Sequence, residues 1–145
     1  MKDSSHSESF VLFEVAGNTC GVRSKSVQSV EAAGHVTAVP NALPFVEGVT
    51  LTRGEMIPSI NLRARFGFPS IPVDQQARRV VVRSNIRTVG MLVDSAREFT
   101  SIPADAIQSP GESVDGVNAR YLEGIATLGN RRVLVLNVDE VIGEV

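Results

Sequence analysis

Apolar positions along the chain come in short runs, each broken within a few residues by glycine, proline or a polar pair. Phe10-Val11-Leu12-Phe13-Glu14-Val15 is the first; Ala16-Gly17-Asn18 turns the chain and Cys20-Gly21-Val22 continues it. Val49 to Arg53, Met56 to Leu62, Val80-Val81-Val82, Val89 to Val93 and Val133 to Leu136 follow the same pattern. Runs this short and this rich in β-branched residues predict strands rather than core helices. Helical turns are predicted at 24–31, 61–66, 104–107 and 138–142. Pro58, inside a strand-like run, predicts an edge or irregular position. Many short strands with Gly/Pro turns predict small barrels or a sandwich.

The pattern repeats. Val11-Leu12-Phe13 with Thr19-Cys20-Gly21-Val22 lies over Val80-Val81-Val82 with Thr88-Val89-Gly90-Met91. Val36-Thr37-Ala38-Val39-Pro40 is matched to Phe99-Thr100-Ser101-Ile102-Pro103, and Phe45-Val46-Glu47-Gly48-Val49 to Tyr121-Leu122-Glu123-Gly124-Ile125. After Gly54 and Gly129, Asn61-Leu62 and Gly67 match Asn137-Val138 and Gly143. Two similar β units are expected, about 9–68 and 78–145, joined by a Pro-rich linker at 69–77. Each is too small to be reliably stable alone, so they should pack together and leave a groove between them. Residues 1–8 are expected to form a disordered polar tail.

Composition narrows the function classes. The chain has 145 residues, 43% hydrophobic and 21% charged, with 5% aromatics and no Trp. This suits one globular domain with an aliphatic core. Net charge is −2 and spread over both halves, which gives nucleic-acid binding little electrostatic support. The pairs Arg78-Arg79 and Arg131-Arg132 read as solvated strand edges. A single cysteine, Cys20, forms no internal disulfide and suits a reducing cytoplasm; it reads as a buried small hydrophobe. No stretch approaches the ~20 apolar residues of a membrane span.

Catalytic chemistry is hard to assemble. His6 lies in the expected tail, and His35 reads as a turn residue at a strand start. Gly111-Glu112-Ser113-Val114-Asp115-Gly116 does not fit a nucleophile elbow. One Cys and two distant His give no zinc spacing. Asp139-Glu140 reads as a solvated pair. No phosphate loop or dinucleotide fingerprint is present, so no cofactor is expected.

The most distinctive text is Pro40-Asn41-Ala42-Leu43-Pro44-Phe45-Val46-Glu47-Gly48-Val49-Thr50-Leu51-Thr52-Arg53-Gly54-Glu55-Met56-Ile57-Pro58-Ser59-Ile60-Asn61-Leu62-Arg63. It resembles the signature of the CheW coupling proteins of bacterial chemotaxis: a Pro-containing turn, F-x-x-G-V, N-L-R-G and I-P-V-x-D-L-R. The resemblance extends from about Phe10 to Val141. It implies a mostly β fold of two pseudo-repeated five-stranded SH3-like barrels with short helices, forming one CheW-like domain over 9–145.

The resemblance also implies a non-enzymatic, cytoplasmic adaptor at membrane-associated receptor arrays, with no direct membrane insertion and no nucleic acid. Its implied partners are the cytoplasmic tip of a methyl-accepting chemotaxis receptor and the regulatory domain of a CheA-type histidine kinase. The receptor groove maps to Val27, Val30, Gly48, Arg53, Gly54 and Val80, and the kinase contact to Ile107, Gln108, Ser113 and Val114. Departures occur at the same places. N-L-R-G reads Leu51-Thr52-Arg53-Gly54, the Asp before L-R is Asn61, a Glu after the V-Q pair is Ser29, and Ser113 stands where a larger apolar residue is expected. A salt bridge or receptor contact made by those carboxylates is expected to be lost at Asn61 and Ser29. The alternatives are an adaptor or decoy in another motility or signalling pathway, a hydrolase using His35 or surface carboxylates, and a nucleic-acid-binding barrel.

Overall fold

The computed structural model describes residues 7–85 and 87–143. Strands β1 (Ser7–Val15) and β2 (Asn18–Arg23) form a hairpin; a 3-10 turn over Ser24–Ser26 leads to β3 (Val27–Ala32). Strands β4 (Val46–Thr52) and β5 (Glu55–Asn61) precede helix α1 (Leu62–Phe66). Then come β6 (Arg78–Arg83), β7 (Thr88–Val93), β8 (Ser95–Pro103), a 3-10 turn over Ala104–Ala106, and β9 (Ile107–Gln108). The short hairpin β10 (Ser113–Val114) and β11 (Val117–Asn118) is followed by a third 3-10 turn, β12 (Leu122–Leu128), β13 (Arg131–Leu136) and helix α2 (Val138–Ile142). The helical segment expected at 24–31 is only its first turn; the branched Val27 and Val30 continue as strand. The expected tail lies outside the described residues through residue 6, whereas Ser7 and Glu8 pair with Pro103 and Ile102.

The strands form two main sheets, ordered β8-β1-β2-β13-β12-β9 and β3-β6-β7-β5-β4, and the fold is a pair of SH3-like barrels. The sheets do not divide at the linker. Strands β1 and β2 of the first half pair with the second-half strands β8 and β13, while the second-half hairpin β6–β7 pairs with β3 and β5. The boundary expected between 9–68 and 78–145 is therefore not the boundary between barrels: the halves exchange their hairpins. Pro58 is not on an edge strand. Strand β5 lies between β7 and β4, but its pairing with β7 starts only at Ser59. The missing N–H of Pro58 thus falls just short of that ladder.

The pseudo-repeat survives in the register. Leu12 faces Gly21 as Val81 faces Gly90, and Phe13 faces Cys20 as Val82 faces Val89. A bulge at Val46/Gly48 is repeated at Leu122/Gly124. Asn61 and Asn137 both cap the following helix, accepting from Ala64 N and Glu140 N. The matching of Val36–Pro40 to Phe99–Pro103 is not observed. Thr37 bridges Val49, and Gln108 stands opposite Ile125, the repeat partner of Val49; Val36-Thr37 therefore corresponds to Ile107-Gln108.

Strand alternation explains the core. On β1, Phe10 and Leu12 point into the first barrel, with Ile102, Ala126, Val133 and Val135. Val11, Phe13 and Val15 point the other way, into a larger cluster with Cys20, Ile60, Val80, Val82, Met91 and Leu134 that cements the barrels together. Burial on both faces accounts for the uninterrupted apolar run of β1. Each fully buried Phe or Leu contributes roughly 1.5–3 kcal/mol.

Candidate functional site

The second barrel departs from the first in its interior. Arg79 takes the place on β6 that Phe10 takes on β1, and Ser59 on β5 takes the place of Val135 on β13. Arg79 is 3% exposed. Its Nε donates to Ser59 Oγ at 2.8 Å and its Nη2 to Glu47 Oε1 at 2.9 Å, while Ser59 Oγ donates to the same carboxylate at 2.6 Å. A guanidinium this deep needs such pairing. Beside it opens a recess of about 340 Å³ whose lining includes Glu31, His35, Thr50, Leu51 and Met56.

The rim of this recess is the β4–β5 hairpin. Thr52 and Glu55 pair across a two-residue turn of Arg53 (φ 51°) and Gly54 (φ 79°). Two consecutive left-handed residues match the twist of a tight hairpin, and glycine takes the second place without strain. Arg53 is exposed and, among the described residues, has no hydrogen bond or ion pair; Arg63 and Arg79, by contrast, are held by Asp94 and Glu47. Leu51 and Met56, directly opposed on the hairpin, are 64% and 57% exposed.

Glu31 on β3 faces this hairpin. Its Oε2 accepts from the Thr52 hydroxyl and, at 2.8 Å, from Ser29 Oγ. The Thr52 bond holds the Glu31 carboxyl below its usual range. Burial opposes that effect, and Ser29, Arg53 and Arg79 reinforce it. Ser29 and Glu31 are two residues apart on one strand and share a face. The carboxylate expected to be missing at Ser29 is thus present on this face at Glu31.

The expected receptor residues do not form one patch. Val27 and Val30 are half-buried on β3 and rest on the shared core. Glu31 joins their strand to the Arg53 hairpin. Val80 pairs with Val30 but is completely buried; it supports the surface from beneath and is not part of it, a correction to its assignment as groove lining. Gly48 sits at the other end of β4, where a Cβ would come within 2.2 Å of Thr37 O. It makes the strand crossing possible. Gly54 has open space around it. The expected kinase residues also separate. Ile107 and Gln108 belong to β9, against β12, and Ser113 and Val114 to the β10–β11 hairpin. Ile107 and Val114 are half-buried, Gln108 and Ser113 exposed.

Among the described residues no catalytic constellation assembles. His35 contributes its backbone carbonyl, which accepts from Thr50 Oγ1 at 2.9 Å. Among the described residues no group of three His, Cys, Asp or Glu is placed to hold a metal ion. Burial pushes the Cys20 thiol far up, away from the thiolate. The sequence pointed to Arg53 but missed Glu31, and the reading of Arg78-Arg79 as a solvated strand edge fails at Arg79, which is buried on the inner strand β6. The signal for Arg79 was a charged residue at the repeat position of a core phenylalanine.

Residues 9–145 match the CheW-like domain family. The chain is 27% identical over 135 residues to "Chemotaxis protein CheW" of Klebsiella aerogenes, covering 93% of this chain and 81% of that protein. It is 26% identical over 129 residues to "Protein FrzA" of Myxococcus xanthus, covering 89% and 81%. Among solved structures, the scaffolding protein TtCheW of Thermoanaerobacter tengcongensis superposes with a TM-score of 0.84 at 26% identity, covering 92% of this chain and 86% of that one.

Proposed function

The chain belongs to the CheW-like family, and on that premise we propose that it couples the cytoplasmic tips of chemoreceptors to a CheA-type histidine kinase. Membership makes it a non-enzymatic scaffold of chemotaxis signalling. The observation that carries the finer proposal is Arg53. It is an exposed guanidinium that, among the described residues, makes no hydrogen bond or ion pair, set on a two-residue turn between the exposed Leu51 and Met56. Such a surface suits a helical receptor tip that offers an acidic group beside apolar side chains. A charge-assisted bond there is worth roughly 1.5–3 kcal/mol. Val27, Val30 and Gly54 complete the receptor side of the proposal, with Gly48 and Val80 shaping it from within. Ile107, Gln108, Ser113 and Val114 are assigned to the kinase side.

No helix among the described residues is long and apolar enough to cross a membrane. Binding to these partners would hold the protein in the cytoplasm, at receptor arrays. The test is affinity capture from the native organism with this protein as bait. Retention of a methyl-accepting receptor and a CheA-like kinase supports the coupling role; retention of neither by folded protein moves the function to another pathway.

A further inference from the structure

The geometry points to Glu31 as the positioning residue that aims Arg53 at its partner, an inference that rests on the receptor reading above. Strands β3 and β4 are opposite edges of the five-stranded sheet. At one end the segment that follows β3 closes onto β4 through backbone bonds between Thr37 and Val49, 2.8 and 2.9 Å long. At the other end side chains join the two strands: the Glu31 carboxylate takes the Thr52 hydroxyl while Ser29 holds the same oxygen at 2.8 Å. Thr52 is only 4% exposed, so this bond is shielded from water.

Arg53 follows Thr52 directly and is closed off by Gly54 and the Thr52–Glu55 pair. A turn of two residues has few soft torsions, so pinning Thr52 fixes the direction in which Arg53 leaves the barrel. Glu31 acts on Arg53 by charge as well. The groups that face it are Ser29 on its own strand, Thr52 and Arg53 on the hairpin, and Arg79 on β6. Arg79 is already neutralised by Glu47. The cation near Glu31 that has no ion pair among the described residues is therefore Arg53.

Titration of a chemoreceptor tip fragment into wild type, Glu31→Gln, Thr52→Val, Arg53→Ala and the Glu31→Gln/Arg53→Ala double variant tests this. Tm and backbone amide order parameters of the free proteins are measured alongside. Arg53→Ala is expected to weaken binding about tenfold or more. Glu31→Gln and Thr52→Val should each weaken it severalfold and lower the order parameters of Arg53 and Gly54. In the Arg53→Ala background, Glu31→Gln should cause no further loss. An additive loss in the double variant, or unchanged order at Arg53 in both Glu31→Gln and Thr52→Val, overturns the positioning role. Unchanged binding by Arg53→Ala overturns the receptor reading instead, and the order parameters then still decide the role of Glu31.

Discussion

Arg79 and Glu47 are ion-paired at 2.9 Å inside the second barrel, on a strand position that in the first barrel belongs to Phe10. The first barrel is thus filled with hydrocarbon, whereas the second holds a hydrogen-bonded polar cluster beside the buried Val81 and Ile57. Arg79→Ala would leave Glu47 and Ser59 without their shared donor. The expected cost is about 2–4 kcal/mol of folding stability, read by urea denaturation. Arg79→Met combined with Glu47→Gln should cost less than Arg79→Ala alone. A loss below about 0.5 kcal/mol for Arg79→Ala would mean that the cluster does not hold the barrel together.

Two glycines on the same strand pair separate structure from surface. An added Cβ at Gly48 would lie 2.2 Å from Thr37 O, and at its repeat partner Gly124 it would lie 2.6 Å from Gln108 O. Gly48→Ala and Gly124→Ala should both destabilise strongly, by at least about 2 kcal/mol. Gly54→Ala meets only the backbone penalty of its positive φ, about 1 kcal/mol. Thermal unfolding of the three variants gives the order directly.

The pH dependence of Glu31 has a defined sign. Its carboxyl is held below the ordinary value of 4.5 in the folded protein. The stabilisation it provides is therefore complete above that value and is lost as pH falls through the lower folded pKa. The difference in Tm between wild type and Glu31→Gln should be constant from pH 7 to about 5 and shrink below that. A difference that grows on acidification would reverse the assignment.

Cys20 is fully buried and its thiol is pushed up by burial. It should resist a thiol-reactive disulfide reagent in native buffer and react stoichiometrically in denaturant. Fast labelling of the folded protein would show that the β1–β2 hairpin opens readily.

Local pattern was legible in the sequence; long-range pairing was not. The match of Val11-Leu12-Phe13 to Val80-Val81-Val82, of Gly48 to Gly124 and of Asn61 to Asn137 stands in the local text; that the glycines sit at bulges and the asparagines cap helices came from the structure. The exchange of hairpins between the halves depends on parallel pairs such as Ser59 with Gly90 and Val135 with Gly21, which leave no trace in spacing. The register of Thr37 could not be read because one bridge is all that fixes it. Arg53 was found through the resemblance of Leu51-Thr52-Arg53-Gly54 to N-L-R-G, a contiguous stretch of text. Glu31 was missed because its partner, Thr52, lies across the barrel.

The most direct test of the coupling role is co-sedimentation of a CheA-type kinase with chemoreceptor-bearing vesicles, with and without this protein. The kinase should pellet in a manner that depends on the protein and is reduced by Arg53→Ala. Equal kinase in the pellet whether or not the protein is present would contradict it.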